Sequence, residues 1–299
     1  MKVLVTGARG QVGSELILEG EKLGLHILAT GRDELDITQQ QAVNDLIQIQ
    51  KPDIVINAAA YTAVDQAESE PELAYAINRD GPANLAQACE NNNIPLLHIS
   101  TDYVFNGNKD GAYTETDMPD PQCIYGKSKL EGERAIESIL KQYIILRTSW
   151  VFGANGNNFV KTMLRLGKAK DMIKVVADQY GGPTWAGDIA TTLLKLVKRW
   201  GEDKRLPWGT YHYSGQPVTT WHGFAEAIFQ QAEELKMIDK RPRVEPITTA
   251  EYPTPAERPL NSILDCGKLA QQLGIGPSDW QPGLEQVLVA WKQSNTWFK

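Results

Sequence analysis

The sequence predicts an α/β protein built on a doubly wound parallel sheet, with a smaller lobe near its carboxyl terminus. In the first half of the chain, short apolar or β-branched runs alternate with longer amphipathic stretches. Such near-continuous apolar runs are typical of parallel strands that helices cover on both faces. After about residue 153 the alternation gives way to scattered aromatic residues, several prolines and longer irregular segments. This change of pattern predicts the second lobe.

Each element of the first half is predicted from its period and from the turn residues that bound it. The predicted strands are residues 3–6, 26–30, 54–59, 96–101, 144–149 and 174–177. The predicted helices are residues 11–23, 38–50, 72–91 and 127–140. Thr38 and Gln41 have the spacing of a capping box, so the second helix is expected to open with Thr38. Because helices connect the strands, the carboxyl ends of the strands are expected to share one edge, where ligands bind in such sheets.

Composition excludes several classes of protein. The chain has 299 residues, of which 42% are hydrophobic and 22% charged, close to the globular average. The 30 basic and 37 acidic residues give a net charge of −7 without a basic tract, so nucleic acid is not expected as a partner. No apolar run approaches the roughly 18 residues of a membrane-spanning helix, and no signal-peptide pattern opens the chain. We expect a cytoplasmic protein with no membrane partner.

The three cysteines do not indicate a disulfide framework or a zinc site. Their number is odd, and the sequence contains no CxxC pair and no neighbouring histidine cluster. We therefore expect Cys89, Cys123 and Cys266 to be reduced residues of the core.

The turn after the first strand carries the strongest local signal. Glycines at 7, 10 and 13 lie between an apolar strand and a helix. They allow the backbone to approach a pyrophosphate, and the helix N-terminus offers unpaired N–H groups. The spacing is G-x-x-G-x-x-G rather than G-x-G-x-x-G, and an ordinary βα turn is the alternative. We predict that Gly7, Gly10, Gln11, Val12 and Gly13 bind a dinucleotide.

The end of the second strand bears on the choice of cofactor. An acidic residue there would hold the ribose 2′-hydroxyl of NADH, whereas an arginine can accommodate the 2′-phosphate of NADPH. Arg32 slightly favours NADPH, although Asp33 and Asp36 lie close by and Arg32 could be a solvated turn residue. Asp36 and Ile37 are predicted as further cofactor contacts.

A phenol and an ammonium group are predicted to share one face of the helix after the fourth strand. Tyr125 and Lys129 are four residues apart, which places them on the same side of a helix. A nearby ammonium and the cofactor ribose can lower the pKa of a tyrosine from about 10 towards neutrality. Tyr125 could then donate a proton to a substrate carbonyl. Thr101, at the end of the fourth strand, could hold that carbonyl, although it could equally cap a turn.

Together these residues resemble the extended short-chain dehydrogenase/reductase family. The matching segments are Thr6-Gly7-x-x-Gly10-x-x-Gly13, Asn57-Ala58-Ala59-Ala60, Ser100-Thr101-Asp102 and Tyr125-x-x-x-Lys129. Within that family the chain is similar to the dTDP-4-dehydrorhamnose reductases, through residues 10–13, 58–68, 100–105, 147–152, 156–159, 178–184 and 258–262. The resemblance covers nearly the whole chain.

The resemblance implies a Rossmann-like fold and a reductase activity. The implied reaction is the NAD(P)H-dependent reduction of the 4-keto group of dTDP-4-dehydro-L-rhamnose to dTDP-L-rhamnose, for surface polysaccharide. Tyr125 resembles the proton donor of the family, Lys129 its orienting and pKa-lowering partner, and Thr101 the hydroxyl that holds the sugar carbonyl.

The resemblance also implies binding residues. Ala58, Ala59 and Ala60 follow the third strand and are expected in the cofactor site. Asp102 and Trp150 match positions associated with sugar recognition, although Trp150 could equally fill the core between the lobes. Arg258 is predicted by its charge to contact the diphosphate of a dTDP-sugar, with a surface arginine as the alternative.

Other expectations stay open at this point. Asp102 keeps an extended short-chain epimerase or dehydratase as an alternative, and a non-catalytic dinucleotide-binding regulatory subunit is another. Family members are associated with Mg²⁺, but Glu15 and Asp188 are only isolated candidates, so no metal ligand is predicted. A homodimer is compatible with the resemblance.

We expect a dinucleotide-binding domain over residues 1–153. Residues 154–299 are expected to be mainly substrate-binding, with some segments returning to the sheet.

Overall fold

A six-stranded parallel sheet lies at the centre of the protein in a computed structural model, which describes residues 1–294. The strands in chain order are β1 (Lys2–Thr6), β2 (His26–Thr30), β3 (Ile54–Asn57), β4 (Leu96–Thr101), β5 (Tyr143–Thr148), β6 (Val151–Phe152), β7 (Met172–Val176), β8 (Tyr180–Gly181), β9 (Thr184–Trp185), β10 (Gly209–His212), β11 (Gly215–Gln216), β12 (Thr219–Thr220), β13 (Arg243–Ile247), β14 (Asn261–Ser262) and β15 (Ser278–Asp279). The order in the central sheet is β10-β5-β4-β3-β1-β2, with every neighbouring pair parallel.

Helices cover both faces of this sheet. They are α1 (Gln11–Lys22), α2 (Gln40–Gln50), α3 (Val64–Ala67), α4 (Pro71–Tyr75), α5 (Gly81–Asn92), α6 (Ile124–Ile139), α7 (Phe159–Ala169), α8 (Ala186–Asp203), α9 (Trp221–Glu234), α10 (Gly267–Leu273) and α11 (Trp280–Ser294). A π-helical segment, Ala76–Asp80, joins α4 to α5, and short 3₁₀ turns lie at Asp102–Val104 and Thr249–Glu251.

The alternation of side chains along β1 shows how the two layers form. Val3 and Val5 point to the face covered by α1 and α8, whereas Leu4 points to the face covered by α2, α5 and α6. All three side chains are fully buried. The fold class predicted from the sequence, a doubly wound parallel sheet, is therefore confirmed.

A separate apolar cluster forms in the second half of the chain. It is built from α7, α9 and α11 together with the two-stranded sheet of β7 and β13. Its large members include Phe152, Phe224 and Trp280, all buried. Chain segments also return to the central sheet, since β10 forms its edge and α8 packs against α1. The domain boundary at residue 153 stays a prediction.

Two details differ from the sequence-based expectation. The segment predicted as a strand at 174–177 belongs to β7, which pairs with β13 and not with the central sheet. The capping box at Thr38 is wrong, because α2 has Gln39 at its N-cap without a side-chain cap. Thr38 instead donates its amide and hydroxyl to Asp36 Oδ1, at 3.0 and 2.8 Å. In residues 1–294, no helix combines the length and apolarity that crossing a bilayer requires.

Candidate active site

The glycine turn after β1 leaves its backbone open to a ligand. Gly7 has a φ of 69°, and a Cβ there would lie 2.5 Å from the backbone of Ala58 and Ala59. A Cβ on Gly13 would lie 2.2 Å from the Gly7 carbonyl oxygen, so only glycine allows α1 to begin this close to the strand. Gly10 is the N-cap, and no side chain within the described residues caps this helix end. The turn therefore fits a pyrophosphate, which would accept from the unpaired N–H groups.

The two residues after Gly10 have different surroundings. Gln11 is partly exposed, and its Oε1 accepts from Asn158 Nδ2 at 3.0 Å. Asn158 Nδ2 also donates to the Gly153 carbonyl at 2.8 Å, and these two hydrogen bonds connect the glycine turn to residues 153–158. The Val12 side chain is buried in the core against the sheet. Val12 can therefore contribute to a cofactor site only through its backbone.

Charged residues surround the turn after β2. Arg32 is exposed and forms no hydrogen bond or ion pair with any residue among 1–294. Arg9, from the glycine turn, pairs with Asp33 at 2.6 Å and also with Glu34. The Glu34 carboxylate accepts from the Gly31 amide at 2.8 Å. Arg32 is thus the cation in this turn that is available to an added phosphate.

The next two predicted cofactor residues have structural partners. Asp36 accepts two hydrogen bonds from Thr38, as described above. Ile37 is only 4% exposed, and its side chain packs so closely on Gly81 that a Cβ there would lie 2.5 Å from Ile37 Cδ1. Both residues lie with Arg32 in the segment between β2 and α2, and their role in cofactor binding stays a prediction.

Tyr125 lies in the first turn of α6, close to the end of β4. The helix starts against the 3₁₀ turn at 102–104, since a Cβ on Gly126 would lie 2.2 Å from the Tyr103 carbonyl oxygen. The rings of Tyr103 and Tyr125 meet edge to face with centroids 5.4 Å apart. Burial raises the pKa of Tyr125, and a hydrogen bond with Thr101 acts in the opposite direction. In the protein alone, the pKa is therefore raised rather than lowered as the sequence suggested.

The Thr101 hydroxyl lies between a backbone amide and a carboxyl group. It accepts from the Tyr103 amide at 3.2 Å, so it does cap the 3₁₀ turn, and it donates to Asp102 Oδ1 at 3.0 Å. Asp102 is 3% exposed, and its burial raises its pKa to about 6. Thr101 thus lies beside both Tyr125 and Asp102.

Lys129 is buried one helical turn after Tyr125. Its Nζ donates to the Ile99 carbonyl at 2.7 Å and lies 3.3 Å from His98 Nε2. Burial lowers the pKa of Lys129 to about 8, while the charge of Glu133 acts to raise it. Glu133 itself forms a buried two-point ion pair with Arg147 of β5.

Two stacked tryptophans, Trp150 and Trp221, lie near the end of β5. Trp150 has a φ of 48°, an uncommon conformation for a bulky residue. Its ring stacks on Trp221, with centroids 3.6 Å apart and 11° between the planes. Its other neighbour is Gly181, where a Cβ would lie 2.6 Å from the Trp150 indole. The predicted sugar contact is therefore held in a fixed orientation.

Arg258 connects the segment after β13 to the site. Its Nη2 forms an ion pair with Asp65 of α3 at 2.7 Å, and its Nη1 lies 3.4 Å from the Tyr103 hydroxyl. The residue is therefore not a free surface arginine. Its predicted diphosphate contact stays a prediction.

The topology brings these groups to one edge of the sheet. The order β4-β3-β1 places the end of β4, with Thr101, two strands away from the glycine turn after β1. Tyr125 follows at the start of α6, and Lys129, one helical turn later, hydrogen bonds to the Ile99 carbonyl near the end of β4. A phenol, a hydroxyl and a lysine amine at the same edge of the sheet as a pyrophosphate-binding turn can together transfer a proton to a carbonyl that is being reduced.

Comparison with known proteins identifies the family of this chain. Residues 1–293 match the protein family described as the RmlD substrate binding domain. The chain belongs to this family. It is 49% identical over 289 residues to a dTDP-4-dehydrorhamnose reductase from Aggregatibacter actinomycetemcomitans, covering 96% of this chain and 98% of that one.

Two solved structures of family members have the same fold. A dTDP-4-dehydrorhamnose reductase from Clostridium acetobutylicum is 40% identical with a TM-score of 0.90, covering 98% of this chain and 100% of that one. One from Bacillus anthracis, solved in complex with NADP, is 39% identical with a TM-score of 0.89 and covers 97% and 99% of the two chains.

The isolated carboxylates considered for Mg²⁺ are not grouped with other ligands. In the part of the chain that the structure describes, no three or more histidine, cysteine, aspartate or glutamate residues are arranged to hold a metal ion. Glu15 is buried in α1, and Asp188 accepts from the Ser278 hydroxyl at 2.6 Å.

Sequence reasoning missed several residues that support this RmlD-family site. His98 lies under Lys129, Arg9 occupies the charged turn beside Arg32, and Asp65 holds Arg258. A histidine between the apolar Leu97 and Ile99 of β4 was the one available signal, because a buried imidazole needs polar partners. The other contacts join residues far apart in the sequence and carry no local pattern.

Proposed function

We infer that this protein is an NAD(P)H-dependent reductase that converts the 4-keto group of dTDP-4-dehydro-L-rhamnose to the hydroxyl of dTDP-L-rhamnose. Full-length similarity to dTDP-4-dehydrorhamnose reductases supports the substrate and the reaction. The observation that carries the chemistry is that Tyr125 hydrogen bonds to Thr101, while Lys129, one helical turn later, reaches the end of β4 at the same edge of the sheet as the glycine turn. A dTDP-sugar is therefore the proposed substrate. Because nucleotide sugars and reduced nicotinamides are cytoplasmic metabolites, we propose that the reaction takes place in the cytoplasm. The homodimer stays a prediction.

The cofactor is a reduced nicotinamide dinucleotide, with NADPH slightly favoured. Gly7, Gly10 and Gly13 fit its pyrophosphate, and Arg32 is available to a 2′-phosphate. The Bacillus anthracis relative, solved with NADP, supports this choice. Replacing Arg32 with alanine should raise KM for NADPH by about tenfold and leave KM for NADH nearly unchanged. Arg134→Ala, on the exposed side of α6, is the matched control, and an equal change for both cofactors would contradict the assignment.

In the proposed reaction the chain supplies the proton and positions the ketone. When bound, the nicotinamide supplies the hydride that reduces the carbonyl carbon. Tyr125 donates its phenolic proton to the carbonyl oxygen, so the ketone becomes a secondary alcohol. Thr101 turns its hydroxyl proton from Asp102 towards the same oxygen and orients it. Protonated Lys129 favours the phenolate that Tyr125 becomes, until solvent returns a proton.

The direct test supplies the enzymatically generated 4-keto sugar nucleotide and follows the oxidation of NADPH and NADH. Tyr125→Phe keeps the ring but removes the transferable proton, so kcat should fall by about 10² or more. Tyr143→Phe, at the amino end of β5 and far from this edge, is the matched control. Unchanged turnover in Tyr125→Phe would refute its role as the acid. NADPH binding without turnover would favour the regulatory alternative, and co-purified oxidised cofactor would favour the epimerase or dehydratase.

A further inference from the structure

A buried chain of polar side chains runs beneath the candidate site, from Lys129 to β1. Lys129 Nζ lies 3.3 Å from His98 Nε2, and His98 Nδ1 lies 2.9 Å from Asn57 Nδ2. Asn57 Oδ1 accepts from the Thr6 hydroxyl at 2.6 Å and from the Ala59 amide at 3.0 Å. His98 and Asn57 are fully buried, and Thr6 is 1% exposed. Apart from Lys129 itself, no member of this chain takes part in the proposed reaction.

The direction of each hydrogen bond in the chain follows from one unambiguous donor. A backbone N–H can only donate, so the atom of Asn57 that faces the Ala59 amide must be its oxygen. The amide nitrogen of Asn57 therefore faces His98 and donates to Nδ1. Since Nδ1 accepts, it carries no proton. Burial lowers the pKa of His98 well below its usual value, so the ring is uncharged and its one proton must be on Nε2.

This tautomer of His98 affects the protonation state of Lys129. The His98 Nε2–H faces Lys129 Nζ, and an ammonium group has no lone pair to accept it. An uncharged amine can accept this N–H and still donate to the Ile99 carbonyl. We propose that His98 is a positioning residue whose tautomer, fixed by Asn57 and the Ala59 amide, stabilises the uncharged amine of Lys129 in the cofactor-free protein.

The other charged groups around Lys129 do not cancel this effect. Glu133 is on the same helix and acts to raise the pKa of Lys129, but both of its oxygens accept from Arg147. Tyr125, from the same helix, is uncharged at neutral pH because burial raises its pKa. Asp102, from the 3₁₀ turn packed on α6, hydrogen bonds to Thr101. Burial acts in the same direction as the His98 N–H, since it also disfavours the ammonium.

This arrangement has a functional consequence that rests on the proposed function. If the ammonium is the form that favours the Tyr125 phenolate, the cofactor binds to protein with protonated Lys129, and above about pH 8 binding requires the uptake of a proton. NADPH affinity should then decrease as the pH rises through about 8, where the free amine becomes the main form. Removing the His98 N–H should move that decrease to higher pH.

The first test reads the tautomer directly in the cofactor-free protein. The chain has four histidines, so ¹⁵N-histidine labelling gives a spectrum that can be assigned, with His98 identified by its loss in His98→Asn. The shifts of the two ring nitrogens distinguish the protonated from the unprotonated one. We expect a proton on Nε2 and none on Nδ1 across neutral pH. A proton on Nδ1, or a ring that carries both, would overturn the proposal.

The second test measures the pKa of Lys129 without cofactor or substrate, from the pH dependence of its ¹³Cε resonance. Lys129→Arg assigns this resonance in lysine-labelled protein. His98→Asn keeps an acceptor for Asn57, and its shorter side chain withdraws the donor that faces Lys129, so the pKa should rise by about one unit, a tenfold change in proton affinity. His222→Asn, on α9, is the control and should leave the value unchanged.

An unchanged or lowered pKa of Lys129 in His98→Asn would refute the role of His98. If that variant does not fold, His98→Gln serves the same purpose, because it can place an acceptor oxygen opposite Lys129 and should raise the pKa further. Both measurements are made on the free protein. Their failure would therefore leave the reductase assignment standing, and a failure of the reductase assay would leave them valid.

Discussion

The buried carboxyl of Asp102 should make the protein less stable as the pH rises from about 4 to about 6. Its pKa is 3.8 in its ordinary state and about 6 in the folded protein, and burial is the main cause. The folded state thus holds the proton more tightly than the unfolded state. The proton on Asp102 therefore adds to the free energy of unfolding, fully below pH 3.8, and this stabilisation is lost as the pH rises through about 6.

The size of the effect follows from the same shift. A rise of about two pKa units, at about 1.4 kcal/mol each, corresponds to about 3 kcal/mol of stability. Asp102→Asn has nearly the same shape and never ionises, so above pH 6.5 it should be more stable than the natural chain by up to this amount. For a chain of this size, we expect a rise of about 5–10 °C in the midpoint of thermal unfolding. Near pH 4 the two proteins should differ little.

The assay is thermal and urea unfolding of both proteins between pH 4 and 8, with Asp110→Asn as the control. Asp110 is exposed, so its replacement should change stability by a similar small amount at every pH. A constant difference between Asp102→Asn and the natural chain across this range would refute the reasoning, and so would a less stable variant at pH 7.5.

Two further changes test the glycine turn and the buried ion pair. Gly13→Ala should abolish the thermal stabilisation by NADPH and lower the unfolding midpoint, because its Cβ would lie 2.2 Å from a carbonyl oxygen of the turn; Gly276→Ala, in open space, should do neither. Glu133→Gln should cost about 3–5 kcal/mol in urea unfolding, since it leaves Arg147 buried without its counter-charge, whereas Glu131→Gln on the exposed side should change stability by less than about 1 kcal/mol. Equal effects in either matched pair would contradict the corresponding explanation.

The sequence predicted the central strands well because their signal is local. A strand buried on both faces reads as a run of mainly apolar residues, as at the start of β3 and of β4, and the predicted and observed limits of both strands agree within two residues. The edge strand β10 was missed, because Gly209–His212 contains one apolar residue, Tyr211, and gives no such run. Pairing with β5 decides its structure, and that pairing joins residues more than sixty positions apart.

The same distinction applies to the candidate site. Tyr125 and Lys129 form a pattern within five residues, and the glycine turn one within seven, so both could be recognised without coordinates. The stack of Trp221 on Trp150 joins positions about seventy residues apart, and no pattern in either local sequence predicts this contact. A lowered pKa for Tyr125 was inferred from the nearby Lys129 ammonium and the cofactor ribose. Spacing did not reveal that Lys129 is bound to the Ile99 carbonyl and faces His98.

The late position of β10 in the chain has a consequence for biosynthesis. When a ribosome has released only the first 153 residues, β5 has no neighbour on one side, and α1 lacks the helix that later packs on it. The nascent chain would then present unpaired backbone groups and uncovered valine and leucine side chains. Residues 186–212, which contain α8 and β10, must be synthesised before the central sheet and the helical layer over α1 are complete. We therefore expect a fragment that stops at residue 153 to aggregate, and a fragment that includes β10 to do so less.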